Sequence, residues 1–285
     1  MDNVEQTKVS QKIVNRNIQG SGPLEYSESR KFYFLAVNYN TSNEIENWVS
    51  QIKIHKPDAF LYVVDNFFDD KERLKATTIC NNLGVKIIYS ENLGYGHSLN
   101  VGLDVAKADS IENSDNSIFI FGNLDVSFTK ILCKKMNTAC AFMPNIIEGK
   151  RNRNPFMTIL QRKFIWIYWP AAKLKSNALF LLAALFIKII GKIPSMPYAT
   201  HGSVFSLNKS ALTMIQEPIF NNKSFLYWEE IDFADLLNKY NIPLIESDIW
   251  ANHARNIATF KIVKSRKKVI YYWAESWWNW VDRYK

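Results

Sequence analysis

Asp125 closes the apolar run Ile118-Phe119-Ile120-Phe121-Gly122-Asn123-Leu124 on a carboxylate two residues past an amide. A buried strand that ends this way delivers an acidic group to the rim of an α/β sheet, where ligands of such folds collect and a metal can be held. An Asp at a strand end also caps a following helix, and the residue alone does not separate the two roles. Further along, Phe225-Leu226-Tyr227-Trp228 leads into Glu229-Glu230-Ile231-Asp232, three carboxylates within one helical turn. The dipole at a helix start accounts for Asp232 and Asp235, but less well for two adjacent glutamates. His253 lies between Asn252 and Arg255. A neutral imidazole there can ligate a cation and the guanidinium can brace an anionic leaving group, although a lone His also serves structural roles.

The elements that position these groups alternate. Phe32 to Val37 reads as a buried strand, followed by a helix with Ile45, Trp48, Val49 and Ile52 on one face. Phe60 to Val64 is a second strand, Glu72 to Leu83 a helix stopped by Gly84, Val85 to Tyr89 a third strand and Gly96 to Ala106 a further helix. This alternation predicts a doubly wound, mostly parallel α/β sheet whose strand ends converge on one crevice. Those ends carry Asn38 and Asn40, then Asp65 and Asn66, then Asn92 with Gly94-Tyr95-Gly96, then Asn123 and Asp125. Asp65 can accept from a nucleobase N–H or a ribose hydroxyl. Glycines at 94 and 96 admit a ligand close to the backbone and open a helix whose N-terminus favours phosphate, though a two-glycine turn is also an ordinary loop.

The ordered set Val64-Asp65-Asn66, Asn92-Leu93-Gly94-Tyr95-Gly96 with Asn100 and Gly102, Asn123-Leu124-Asp125, Tyr227 to Asp232 and His253 resembles the inverting glycosyltransferases of family 2. The resemblance runs from Lys31 to Thr259 and implies a GT-A, Rossmann-like fold with a nucleotide-sugar donor, dTDP- or UDP-linked. It assigns Asn38, Asn40, Asp65, Asn66, Asn92, Gly94, Tyr95, Gly96, Asn100, Asn123 and Arg255 to the nucleotide sugar. It assigns Asp125 and His253 to a divalent cation, Mg²⁺ or Mn²⁺. Asn123 stands where the family more often has Asp, an Asn-x-Asp form similar to rhamnosyltransferase-like members. One carboxylate suffices, because the diphosphate and water can complete the coordination. Glu230 takes the place of the general base with Glu229 and Asp232 in support, and His201, Gly202 and Trp228 face the acceptor.

The chain has 285 residues, 47% of them hydrophobic, with 35 Lys and Arg against 27 Asp and Glu. A net charge of +8 suits a phosphate-rich partner or an anionic membrane. Cys80, Cys133 and Cys140 form no paired motif, so neither a disulfide framework nor a zinc site is expected. Residues 1–30 read as a loose tail without a signal peptide, 31–260 as the catalytic domain and 261–285 as a basic, aromatic helix. The catalytic domain divides into a nucleotide-binding half (31–130) and an acceptor half (131–260) that carries an apolar helical insert (160–192). The insert and the C-terminal stripe of Trp273, Trp277 and Trp280 meet a membrane, pack on the core or on a second subunit as a homo-oligomer, or do both.

A lipid-diphosphate-linked saccharide, as used in bacterial O-antigen or capsule assembly, is the acceptor that would explain these membrane-proximal elements. The corresponding location is the cytoplasmic, inner face of the cell membrane. Two alternatives stand beside this reading. A sugar-phosphate nucleotidyltransferase shares the α/β core but has a Gly-rich basic loop after its first strand, where this chain has Asn38-Tyr39-Asn40-Thr41. A nucleic-acid-binding module would show a recognised motif, and none is present, so no nucleic-acid partner is expected.

Overall fold

The computed structural model describes residues 30–111, 117–133, 136–254 and 266–284. Its first half follows the expected alternation: β1 (Phe32–Asn38), α1 (Ile45–His55), β2 (Phe60–Asn66), α2 (Asp70–Leu83), β3 (Lys86–Ser90), α3 (Tyr95–Asp109) and β4 (Ile118–Asn123). Asp69 caps α2 by accepting from the Glu72 N–H, and Gly84 ends it in the left-handed region at φ 65°. β1 is buried along its whole length. Its alternate residues serve two cores: Phe32, Phe34 and Ala36 meet α1, while Tyr33, Leu35 and Val37 meet α3. The sheet is therefore covered on both faces.

The second half adds β5 (Val126–Leu132), β6 (Ala141–Glu148), β7 (Arg151–Asn152) and β8 (Met157–Thr158). A helical insert follows, made of α4 (Ile159–Lys163), α5 (Trp169–Leu174) and α6 (Asn177–Ile190). Then come β9 (Pro197–Ala199), β10 (Val204–Asn208), α7 (Lys209–Met214), α8 (Glu229–Lys239), β11 (Leu244–His253) and α9 (Arg266–Tyr284). The main sheet has the order β3-β2-β1-β4-β10-β6-β11-β5, with β7 on β6. Strands β1 to β4, β6 and β11 run one way, and β10, β5 and β7 run the other. The expected mostly parallel sheet is present, made mixed by the reversed strands of the second half.

Leu124 and Asp125 form a tight turn that leads directly into β5, so Asp125 caps no helix. Three strands lie between β4 and β5 in the sheet, a separation of about 19 Å at ordinary strand spacing. Three residue steps reach only about 10 Å. The sheet must therefore curl around this turn, and the curl brings distant strand ends to Asp125.

A third core joins the insert to the C-terminal helix. Ala171 and Ala172 of α5 and Ile231 and Ala234 of α8 pack with the Trp273, Trp277 and Trp280 stripe of α9. These three indoles are 9%, 0% and 2% exposed, so the packing alternative describes them and the membrane alternative does not. The alanines opposite leave room for indole rings that would otherwise face water. The three cysteines are buried and unpaired, with thiols pushed up to about 12 by burial, which makes them inert.

Candidate active site

The β4–β5 turn, the ends of β6 and β11, the segment after β9 and the start of α8 meet at one place. Val126 pairs in register with His253, which sets the His253 ring beside the Asp125 carboxylate. Asp125 is 8% exposed, and its Oδ1 lies 3.3 Å from His253 Nε2. On the other side of the ring, His253 Nδ1 lies 2.8 Å from Glu148 Oε1, and Arg153 Nε donates to Glu148 Oε2 at 2.6 Å. His201 Nε2 lies 3.7 Å from the same Glu148 Oε1, and the two imidazole rings are 5.5 Å apart.

These contacts define the electrostatics. Burial opposes a charged Glu148, yet the bonds from His253 and Arg153 outweigh it and hold the carboxyl at about 2. Burial, helped by His253, lowers His201 to about 4, so it is a neutral imidazole at neutral pH. Burial also works against a charged His253, but Asp125 and Glu148 prevail and raise it. With Nδ1–H donated to Glu148, Nε2 of a neutral ring is an acceptor facing a carboxylate, with the Asn123 amide 3.5 Å away. Two acceptors 3.3 Å apart need a positive charge between them, either a proton or a cation.

That donor set tests the expected cation. Asp125 Oδ1 is a buried oxygen that meets His253 Nε2, so this pair can share a proton or, with the ring neutral, offer both atoms to a cation. Glu148, His201 and His253 also offer ligand atoms within 4.8 Å of one another. One carboxylate and one or two imidazoles fit a divalent cation, and the nitrogen donors favour Mn²⁺ over Mg²⁺. Asp125 and His253 can hold it directly, with Glu148 orienting the ring as carboxylates do behind metal-bound histidines.

Gly202 connects this cluster to the acidic pair. Its N–H donates to Glu230, and a Cβ added at Gly202 would meet the end of the Glu230 side chain, so glycine lets that carboxylate sit against the backbone. Tyr95 OH donates to the Gly202 carbonyl at 3.2 Å. Tyr227 and Trp228 both adopt left-handed backbone, φ 77° and 73°, immediately before α8. Such conformations in non-glycine residues store strain and commonly mark functional turns; here the turn starts the helix on Glu229. Burial raises the proton affinity of both Glu229 and Glu230. Glu229 Oε1 is an orphaned buried acceptor among the described residues.

The other residues singled out by the sequence divide into two groups. Asn66 and Asn92 sit at strand ends with their Oδ1 atoms buried and unbonded among the described residues. Asn40 forms the left-handed turn after β1 at φ 54°. Asp65 is 1% exposed and its two oxygens already accept from Asn38 Nδ2 at 3.0 Å and Arg73 Nε at 2.6 Å. Asn38 also receives the Thr41 N–H, so it shapes the first turn. A Cβ on Gly94 would meet the Phe225 backbone at 2.7 Å, and the Tyr95 N–H donates to the Phe225 carbonyl. Close approach at this glycine therefore serves the protein's own loop. Gly96 lies against the Phe220 side chain, where an added Cβ would stand 2.8 Å from Phe220 Cβ.

Three residues point elsewhere. Asn100 spends its side chain on the Phe220 backbone and Asn222. Asp232 pairs with Arg283 of α9 at 2.8 Å. Trp228 is 6% exposed and stacks on Trp280, donating its indole N–H to the Trp273 carbonyl. Arg255 lies outside the described residues.

Sequence reasoning missed Glu148 and Arg73 and read Arg153 only as part of the basic run Lys150-Arg151-Asn152-Arg153, with no place at this site. Glu148 ends a strand just as Asp125 was expected to, and the same rule would have found it. Pro144, within Ala141–Glu148, hid that strand. Arg73 sits over the rings of Phe67 and Tyr89, 4.5 and 5.1 Å from their centroids, a cation–π arrangement invisible to linear spacing.

Comparison with known proteins gives structural alignments of low identity. No family model and no curated protein matches the chain. Among solved structures, TarS from S. aureus aligns at 12% identity over 78% of this chain and 36% of that one, with a TM-score of 0.47. The mannosyltransferase PcManGT from Pyrobaculum calidifontis, solved with GDP-Man and Mn²⁺, aligns at 11% identity over 85% of this chain and 63% of that one, TM-score 0.47. Glucosyl-3-phosphoglycerate synthase from Mycobacterium tuberculosis, solved with Mn²⁺, UDP and glucosyl-3-phosphoglycerate, aligns at 12% identity over 85% and 78%, TM-score 0.43. The chain thus spans less than two thirds of the first two of these proteins.

Proposed function

We propose that the chain is an inverting glycosyltransferase that moves a sugar from a dTDP- or UDP-linked donor to a glycan acceptor. The observation that carries this reading is the Asp125–His253 pair of facing acceptors, joined through His201-Gly202 to the carboxylate of Glu230. A cation-binding group at the strand ends and a base at the start of α8, meeting at one site, are what a single displacement at an anomeric carbon requires. The acceptor hydroxyl attacks that carbon, its proton passes to Glu230, and the bond to the diphosphate breaks on the opposite face. A bound divalent cation would supply Lewis-acid stabilisation of the departing diphosphate. Asn66 and Asn92 offer unbonded acceptors to the donor, and Gly202 leaves room for Glu230 while its N–H aims it. Burial makes Glu230 a stronger base than an exposed glutamate.

A lipid-diphosphate-linked saccharide of a bacterial surface polysaccharide is the acceptor we favour. The test is incubation with a panel of sugar nucleotides and Mn²⁺, followed by nucleotide release. We expect one donor to be turned over and Asp125→Ala to lose metal-dependent donor binding. No binding of any donor would defeat the proposal, and pyrophosphate-dependent exchange would replace it with nucleotidyl transfer.

A further inference from the structure

We propose that the outer face of α6 and its surrounding lysines seat the protein on an anionic membrane surface. α6 is apolar apart from Asn177 and Lys188 near its ends. Ala183, Ile187 and Ile190 face the protein, while Leu181, Leu182, Leu185 and Ile189 are 66%, 64%, 56% and 55% exposed among the described residues. A helix with a second apolar face open to water calls for an apolar neighbour. Trp166 and Trp169, also exposed, extend the insert's apolar surface with side chains that favour the boundary between headgroups and acyl chains.

Charge identifies the occupant. From Gly149 to Gln216 the sequence holds ten Lys or Arg and not one Asp or Glu, although the whole chain carries 27 acidic residues. Lys163, Lys173, Lys175, Lys188 and Lys192 are exposed around the apolar face. A second copy of this chain would bring the same cations against one another, whereas anionic headgroups complement them. α6 has 14 residues, about 21 Å of helix against a hydrocarbon core of about 30 Å. Among the described residues no helix is long and apolar enough to cross a membrane, so α6 lies in the plane of the surface.

The position of the insert gives this docking a consequence. It is framed by β8 and β9, which pair with each other apart from the main sheet, and β9 runs straight into His201 and Gly202. His201 N–H donates to Asn154 Oδ1 at 2.6 Å, and the Phe156 ring lies 6.0 Å from the His201 ring. A docked α6 therefore holds the candidate active site close to the membrane surface. The inference goes beyond the reaction proposed above and does not depend on it.

The test is flotation of the full chain with vesicles of phosphatidylcholine alone or with about a third phosphatidylglycerol. Binding should need the anionic lipid. The double variant Leu181→Glu, Leu185→Glu should bind at least about tenfold more weakly. Lys188→Gln with Lys192→Gln should lose about fivefold per lysine, and added salt should mimic that loss. These side chains are exposed, so melting temperatures and vesicle-free donor turnover should match the parent and separate loss of docking from loss of chemistry. Equal binding by parent and variants overturns the proposal, as does a dimer that Leu181→Glu dissociates in a protein that ignores vesicles.

Discussion

Glu148 decides which nitrogen of His253 faces Asp125, because its carboxylate accepts the hydrogen bond from Nδ1–H, with Nδ1 2.8 Å from Oε1. Glu148→Gln removes that charge while keeping the shape, and ring orientation and basicity both suffer. Mn²⁺ affinity should fall about 10- to 100-fold, measured by electron paramagnetic resonance of the free ion. In the proposed reaction Glu230 acts at the next step. Glu230→Gln should leave donor affinity intact and lower kcat by about 10²- to 10⁴-fold. Because burial raises Glu230, the parent's activity should climb with pH through a limb above the ordinary glutamate range, and the variant should lack that limb. Stability moves the opposite way. Glu229 holds its proton more tightly folded than unfolded, so its contribution is present at low pH and is lost as pH rises through the raised value. Glu229→Gln should therefore flatten the fall in melting temperature above the ordinary glutamate range.

At the scale of elements, α3 and the loop before α8 work as one piece. Asn100 of α3 donates to the Phe220 carbonyl and accepts the Phe220 N–H, and Gly94 lets the Phe225 backbone pass. Asn100→Ala leaves both backbone groups without partners and should cost about 2 to 4 kcal/mol, read from urea unfolding. The sequence made α3 and its glycines legible because helix periodicity and glycine are local signals. It did not reveal whether a phosphate or a loop used the close approach, since any backbone meets the same steric limit. β5, β6 and β10 were harder to read than β1 to β4. Pro144 interrupts β6, and the turn at Leu124-Asp125 hid the start of β5.

Across the whole molecule, one buried carboxylate ties the insert to both C-terminal helices. Asp235 of α8 receives two bonds from Arg162 of α4, at 3.0 and 2.8 Å, and one from the Trp280 indole of α9 at 2.7 Å. Tyr198 of β9 donates to it as well. Arg162→Met would leave this charge buried without its cation and should cost about 3 to 5 kcal/mol in thermal or urea unfolding. The insert, α8 and α9 should then loosen together, exposing the tryptophan core to fluorescence quenchers.

The sequence by itself determined the alternating α/β core, the polar strand ends and the acidic start of α8, because each follows from residue periodicity or turn chemistry within a short window. Tertiary structure decided which of those groups meet. Glu148 and His253 are 105 residues apart, and only a sheet curled around the Leu124-Asp125 turn brings them together. Tertiary structure also assigned the two apolar surfaces, burying the Trp273, Trp277 and Trp280 stripe under α5 and α8 and leaving the outer leucines of α6 exposed. The physical reason is common to both: a local pattern says that a face is apolar or a side chain charged, while the chain topology alone supplies what covers or neutralises it.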